Sequence, residues 1–152
     1  MGRIGMFQPY LLKKINRVFN VISKGTNHPN TTHSHQHLNL DINSVHAEEM
    51  AMDKIKPTGK KKRIHVSLIV IRISKDSLVD SYKLCNSKPC ISCIYKINNF
   101  SNAGYKITKI YFSNNIGHLV CLKTTNLVKQ PKLHVTKYYR NHKLPKKILS
   151  YT

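Results

Sequence analysis

The side chains of this chain best equipped for bond-breaking chemistry sit in two short runs, His46-Ala47-Glu48 and Pro89-Cys90-Ile91-Ser92-Cys93. One imidazole and two thiolates form a donor set that suits zinc, and three protein ligands leave the fourth tetrahedral corner open to water. An open corner characterises a catalytic rather than a structural ion, because zinc brings the pKa of water down towards neutrality. Glu48 follows His46 by two positions. On a helix that offset turns its carboxylate away from the coordinating face, which suits a proton carrier beside the ion rather than a ligand. The expected set is therefore His46, Cys90 and Cys93 on Zn2+, with Glu48 as the catalytic acid and base of a hydrolytic step.

Two helices must present these groups. Ser44 is a suitable N-cap, and Val45, Met50 and Ile55 supply apolar contacts before Pro57 ends the run, so the first helix is expected to begin at Ser44. Pro89 suits the first turn of a second helix, whose inner face is marked by Cys93, Ile94 and Ile97. Cys90 and Cys93 stand at i and i+3, so both sulfurs face one side. They also fall in the first turn, where free N–H groups and the helix dipole favour thiolate over thiol.

Strand patterns surround the two helices. Ile64 to Ile73 is almost continuously apolar and reads as a buried central strand. Ser74 to Asn86 is a connector with room for a short edge strand around Leu78. Lys106 to Phe112 is another strand, and Asn114-Asn115-Ile116-Gly117 is a turn leading into His118 to Lys123, which predicts a hairpin. Leu11, Ile15, Val18 and Ile22 fall near helical spacing, so residues 10–22 are expected to form a helix that ends near Gly25. The end of that stretch, Arg17 to Ile22, fits a β-branched strand equally well. The polar run from Asn27 to Asn43 holds His28, His33, His35 and His37 and reads as a solvated surface loop. Helices alternating with strands predict an α/β sandwich. Its expected parts are an N-terminal helix or strand with the His-rich loop (1–43), a zinc-binding core (44–130) and a basic C-terminal tail (131–152).

The 152 residues suit one domain, and the net charge is +20. Such an excess is either an electrostatic footprint for nucleic acid or the Lys-, Asn- and Ile-rich drift of an AT-rich genome. The longest apolar stretch, Val66 to Ile71, is strand-sized and too short to span a bilayer, and the first residues lack a signal-peptide pattern. Four cysteines without a secretory signal favour metal binding over disulfides. The chain reads as intracellular and soluble.

At Ser44-Val45-His46-Ala47-Glu48, Ser87-Lys88-Pro89-Cys90-Ile91-Ser92-Cys93 and Ile107 to Ser113 the chain resembles the cytidine and deoxycytidylate deaminase superfamily. The likeness runs from Ser44 to about Lys123. It implies a three-layer α/β/α sandwich, zinc on His46, Cys90 and Cys93, Glu48 as proton shuttle, and hydrolytic replacement of an amino group on a cytosine-type nucleoside or nucleotide. A histidine as first ligand is more similar to the deoxycytidylate, transfer-RNA and polynucleotide branches. Gly25-Thr26-Asn27 is similar to the end of the family's second strand, which would make Asn27 a substrate-binding residue and turn part of the expected first helix into a strand. The resemblance also admits a homo-oligomer, since many relatives build their sites between subunits. Three departures stand out. The spacing between the motifs is long, and the N-terminal portion is short, which predicts a truncated sheet. The hairpin expected at Asn114–Gly117 would make the last strands antiparallel, which pulls against the branches suggested by His46.

The alternative is a non-catalytic module that binds nucleic acid and carries a structural zinc. Cys85 would be its fourth ligand, joining Cys90, Cys93 and a histidine in a closed shell. Cys121 falls in a strand pattern and reads as a buried apolar thiol, and Tyr138-Tyr139-Arg140 as solvated residues of the tail.

Overall fold

The computed structural model describes residues 6–15, 18–26, 28–29, 44–59, 61–76, 81–100, 104–130, 133–135 and 140. In chain order they form strands β1 (Met6–Ile15), β2 (Val18–Lys24), β3 (His28–Pro29) and β4 (Ser44–Val45), then helix α1 (Ala47–Asp53). Strands β5 (Ile64–Asp76) and β6 (Ser81–Cys85) lead to helix α2 (Ile91–Asn99), followed by β7 (Tyr105–Ser113), β8 (Leu119–Lys123) and helix α3 (Thr124–Leu127). A mixed six-stranded sheet runs β2-β1-β5-β7-β8, with β6 also pairing β5, while β3 and β4 form a separate two-residue pair. This is an α/β protein, compatible with a sandwich.

The apolar run of β5 makes it the centre of the sheet. It pairs in parallel with β7, Val66 beside Ile107 and Leu68 beside Ile110, and antiparallel with β1, Leu68 beside Leu11. A parallel pair requires a crossover, and α2 lies within it. The crossover returns the chain so that α2 packs against the sheet. Leu11, Leu68, Val70, Ile110 and Phe112 form one core with Ala51 and Met52 of α1, Cys93, Ile94 and Ile97 of α2, and Leu127 of α3. Each fully buried Leu or Ile contributes about 1.5–3 kcal/mol through loss of apolar surface to water. The helices that carry the expected ligands are thus held by the same core that holds the sheet.

The expected helix over residues 10–22 is corrected to a hairpin. β1 and β2 pair antiparallel, with Leu12 opposite Val21 and Ile15 opposite Val18. Leu11 and Leu12 are both buried, at 0 % and 7 % exposure. Adjacent residues of a strand point to opposite faces, so two consecutive buried leucines suit a strand inside a sheet better than a helix with one apolar stripe. The pairing of β1 to the central strand decided the matter. The hairpin supplies two strands on the β1 side of β5.

Three boundaries also move. The edge strand of the connector is β6, at Ser81–Cys85, rather than around Leu78, which lies outside the described residues. Ser44 belongs to β4, paired with Pro29, and the N-cap of α1 is His46. Pro89 precedes α2, whose N-cap is Cys90. The hairpin at Asn114–Gly117 forms as expected, but Cys121, expected to be buried, is exposed, because it lies on the outward face of the edge strand β8. The Asn114 Oδ1 accepts the backbone N–H groups of Ile116 and His118, and Gly117 takes the left-handed φ of +83° that the turn needs. No helix among the described residues is long and apolar enough to cross a membrane.

Candidate metal centre

Two of the three expected ligands occupy helix N-cap positions. His46 (φ −70°, ψ 143°) and Cys90 (φ −74°, ψ 166°) have the extended backbone of a cap, without the usual side-chain capping hydrogen bond. Ser, Thr, Asp or Asn at such a position normally turns back onto the free N–H groups. Here both side chains turn towards each other. Cys93, in the first turn of α2, completes the group.

The His46 Nδ1 lies 3.1 Å from the Cys93 Sγ and 3.3 Å from the Cys90 Sγ. All three donor atoms fall within 4.8 Å of one another, the only such cluster of three or more His, Cys, Asp or Glu among the described residues. Tetrahedral zinc, with bonds of about 2.3 Å to sulfur and about 2.0 Å to nitrogen, places those atoms roughly 3.5 Å apart. A separation of 3.1–3.3 Å therefore needs only a few tenths of an ångström of opening. The donor set and its spacing fit a zinc-type ion.

The electrostatics follow from burial and mutual hydrogen bonding. The Cys90 thiol is lowered to about 4, chiefly by the hydrogen bond from Cys93 and then by that from His46, against the cost of burial. Cys93 moves the opposite way, because it supplies that hydrogen bond to Cys90 and is buried. His46 is raised, first by its hydrogen bond with Cys90. The arrangement already favours one thiolate beside an imidazole. Glu48 is 6 % exposed, and burial pushes its carboxyl up to about 7, with its own backbone N–H pulling it down. A carboxyl that titrates near neutrality can both accept and return a proton.

The structure brings together His46, Cys90 and Cys93, with buried Glu48 two positions beyond His46. It leaves Cys85 out of the cluster. Asn27, the expected substrate contact, lies outside the described residues, as do His33, His35, His37, Tyr138 and Tyr139. His28 is described only through its backbone, which pairs with Val45 and so steadies the approach to His46.

Sequence reasoning missed two supports. Gly25 passes so close to α1 that a Cβ there would lie 2.1 Å from the Ala47 carbonyl oxygen and 2.7 Å from the Ala51 nitrogen. Leu133–Val135 returns to the start of α2, where the backbone N–H of Ile91 donates to the His134 carbonyl at 2.9 Å and Cys90 forms a bridge with His134. The signal for the second was faint, one apolar–polar–apolar alternation in a basic stretch.

No family model, curated protein or solved structure compared with this chain matches it.

Proposed function

We propose that this protein is a zinc-dependent hydrolytic deaminase of a cytosine-type nucleoside or nucleotide, with a deaminase-like three-layer sandwich as its full architecture. The observation that carries the reading is the convergence of His46, Cys90 and Cys93 within 4.8 Å, with Glu48 buried beside them. His46, Cys90 and Cys93 would hold the ion, and bound zinc supplies a Lewis acid that makes water nucleophilic near neutral pH.

Water adds to the amino-bearing carbon of the base, ammonia leaves, and a carbonyl remains. The carboxylate of Glu48 takes one proton from the attacking water and delivers it to the ring nitrogen, then takes the second from the newly added hydroxyl and delivers it to the departing amine. Burial of Glu48 assists both transfers, since it brings the carboxyl close to neutrality and keeps bulk water from competing. His46 and Cys90, held at two helix starts that share one core, keep the acceptor carbon and Glu48 in a fixed relation.

The test is metal analysis coupled to an ammonia-release screen over cytidine, deoxycytidylate and short oligonucleotides. About one zinc per chain, with ammonia from at least one substrate, is expected. Zinc-loaded protein that is inert across the panel refutes the reading. The charge of +20 supports a second reading, a nucleic-acid-binding module with a structural zinc. Its closed shell would need Cys85, which stands outside the cluster.

A further inference from the structure

The chain between β6 and Cys90 is fastened by a buried pair of hydroxyls. Ser87 is 1 % exposed, and Ser113, the last residue of β7, is 0 % exposed. The Ser87 hydroxyl donates to the Val70 carbonyl of β5 at 2.7 Å and accepts the Ser113 backbone N–H at 2.8 Å. The backbone N–H of Ser87 donates to the Ser113 carbonyl at 2.9 Å. The Ser113 hydroxyl in turn donates to the Cys85 carbonyl. The two Oγ atoms lie 2.8 Å apart, and with one proton each they are satisfied by the Val70 and Cys85 carbonyls.

These bonds tie the loop to both parallel strands, three residues before Cys90. A small buried hydroxyl adds little by removing apolar surface from water, and it is costly unless paired. What this pair contributes is direction. On the other side of Cys90, the bond from the Ile91 N–H to the His134 carbonyl holds the first residue of α2. Cys90 is thus clamped between two fastenings, and its sulfur stands 3.3 Å from the His46 Nδ1.

We propose that Ser87, locked by Ser113, is a positioning residue that aims the Cys90 sulfur at the shared ion. This role rests on the metal centre proposed above. Neither serine belongs to the ligand cluster, so each acts only through the backbone that leads to Cys90. Partners of metal ligands in this outer position typically change affinity by about 10–100-fold when removed.

The experiment compares Ser87→Ala with Thr124→Val. Thr124 is also buried and donates to a strand carbonyl, that of Ile107, at 3.1 Å. Its loss removes an equivalent bond without touching the loop before Cys90. Ser87→Ala is expected to weaken cobalt(II) binding by about 10–100-fold and to diminish the thiolate-to-cobalt absorption band. Thr124→Val is expected to lower thermal stability comparably and to leave both signals in place. Unchanged binding in Ser87→Ala, or equal loss in both variants, overturns the proposal.

If the parent protein takes up no cobalt, the metal reading fails on its own, and the metal-free protein decides the role of Ser87. Iodoacetamide should then label Cys90 about tenfold faster in Ser87→Ala than in the parent or Thr124→Val, read by peptide mass spectrometry. An unchanged labelling rate rejects it. Should Ser87→Ala fail to fold, Ser113→Ala, which keeps the Ser87–Val70 bond, carries the same comparison.

Discussion

Cys85 and Cys90 share a residue type and stand five positions apart, yet the fold gives them different lives. Cys90 begins a helix whose inner face is sunk in the core, and its sulfur meets an imidazole from another helix. Cys85 ends an edge strand and is half-buried, and its thiol lies 4.0 Å from its own strand's Lys83 carbonyl. A cleft of about 550 Å³ beside it, between β6 and the β7–β8 turn, is lined by Cys85, Asn86 and Ile116 among others and by none of the clustered ligands. Proximity along the chain therefore counts for less than the element on which a thiol sits. Helix starts that share a core converge, whereas an edge strand faces outward.

The largest expected effect tests that contrast directly. Cys90→Ser or His46→Ala should reduce zinc from about one per chain to under about 0.1, while Cys85→Ser should leave it in place, measured by elemental analysis after gel filtration. Loss of zinc from Cys85→Ser would restore the closed four-ligand site. Next, Glu48→Gln should retain zinc and slow ammonia release by about 10²–10⁴-fold, the range for a lost general acid and base. Undiminished turnover would remove Glu48 from the chemistry.

The supports of the two regions differ as well. Gly25→Ala forces a Cβ into the backbone of α1, and neither carbonyl nor amide can swing aside. It should cost about 3 kcal/mol or more in denaturant unfolding and weaken zinc retention with it. Gly59 has φ +63° and open space around it, so Gly59→Ala should cost only about 1–2 kcal/mol of backbone strain. Similar losses at the two glycines would mean that close packing against α1 does not matter. The smallest effect is expected at Lys96, which pairs with Glu49 across α1 and α2 at 41 % and 31 % side-chain exposure. Lys96→Met should change stability by less than about 1 kcal/mol, since water screens such a pair.

The two helices, the central strand and the β7–β8 hairpin were legible because each carries a local signature. Pro89 before a helix, an unbroken apolar run from Val66 to Ile71, and Asn114 with Gly117 in a turn all act within a few residues of themselves. The first hairpin was only half legible, since Arg17 to Ile22 fitted a strand as well as a helix and β2 took the strand. Leu11, Ile15, Val18 and Ile22 satisfy a helical spacing as well as a strand, and only pairing with β5 discriminates. Gly25 offered no warning either, because its role depends on a helix that begins more than twenty residues later. The caps were misplaced for a related reason. Ser44 is the better local cap, but β4 pairing claims it and leaves the cap to His46.

By itself the sequence determined the donor set, one imidazole and two thiols with a glutamate nearby, because ligand chemistry is a property of residue type and short spacing. It also determined that α2 would present Cys90 and Cys93 together, since helical geometry makes i and i+3 neighbours. Only the tertiary structure decided that His46 joins them and Cys85 does not. That choice depends on contacts between segments more than forty residues apart along the chain, where the crossover and a shared core set the distances and local propensity has no say.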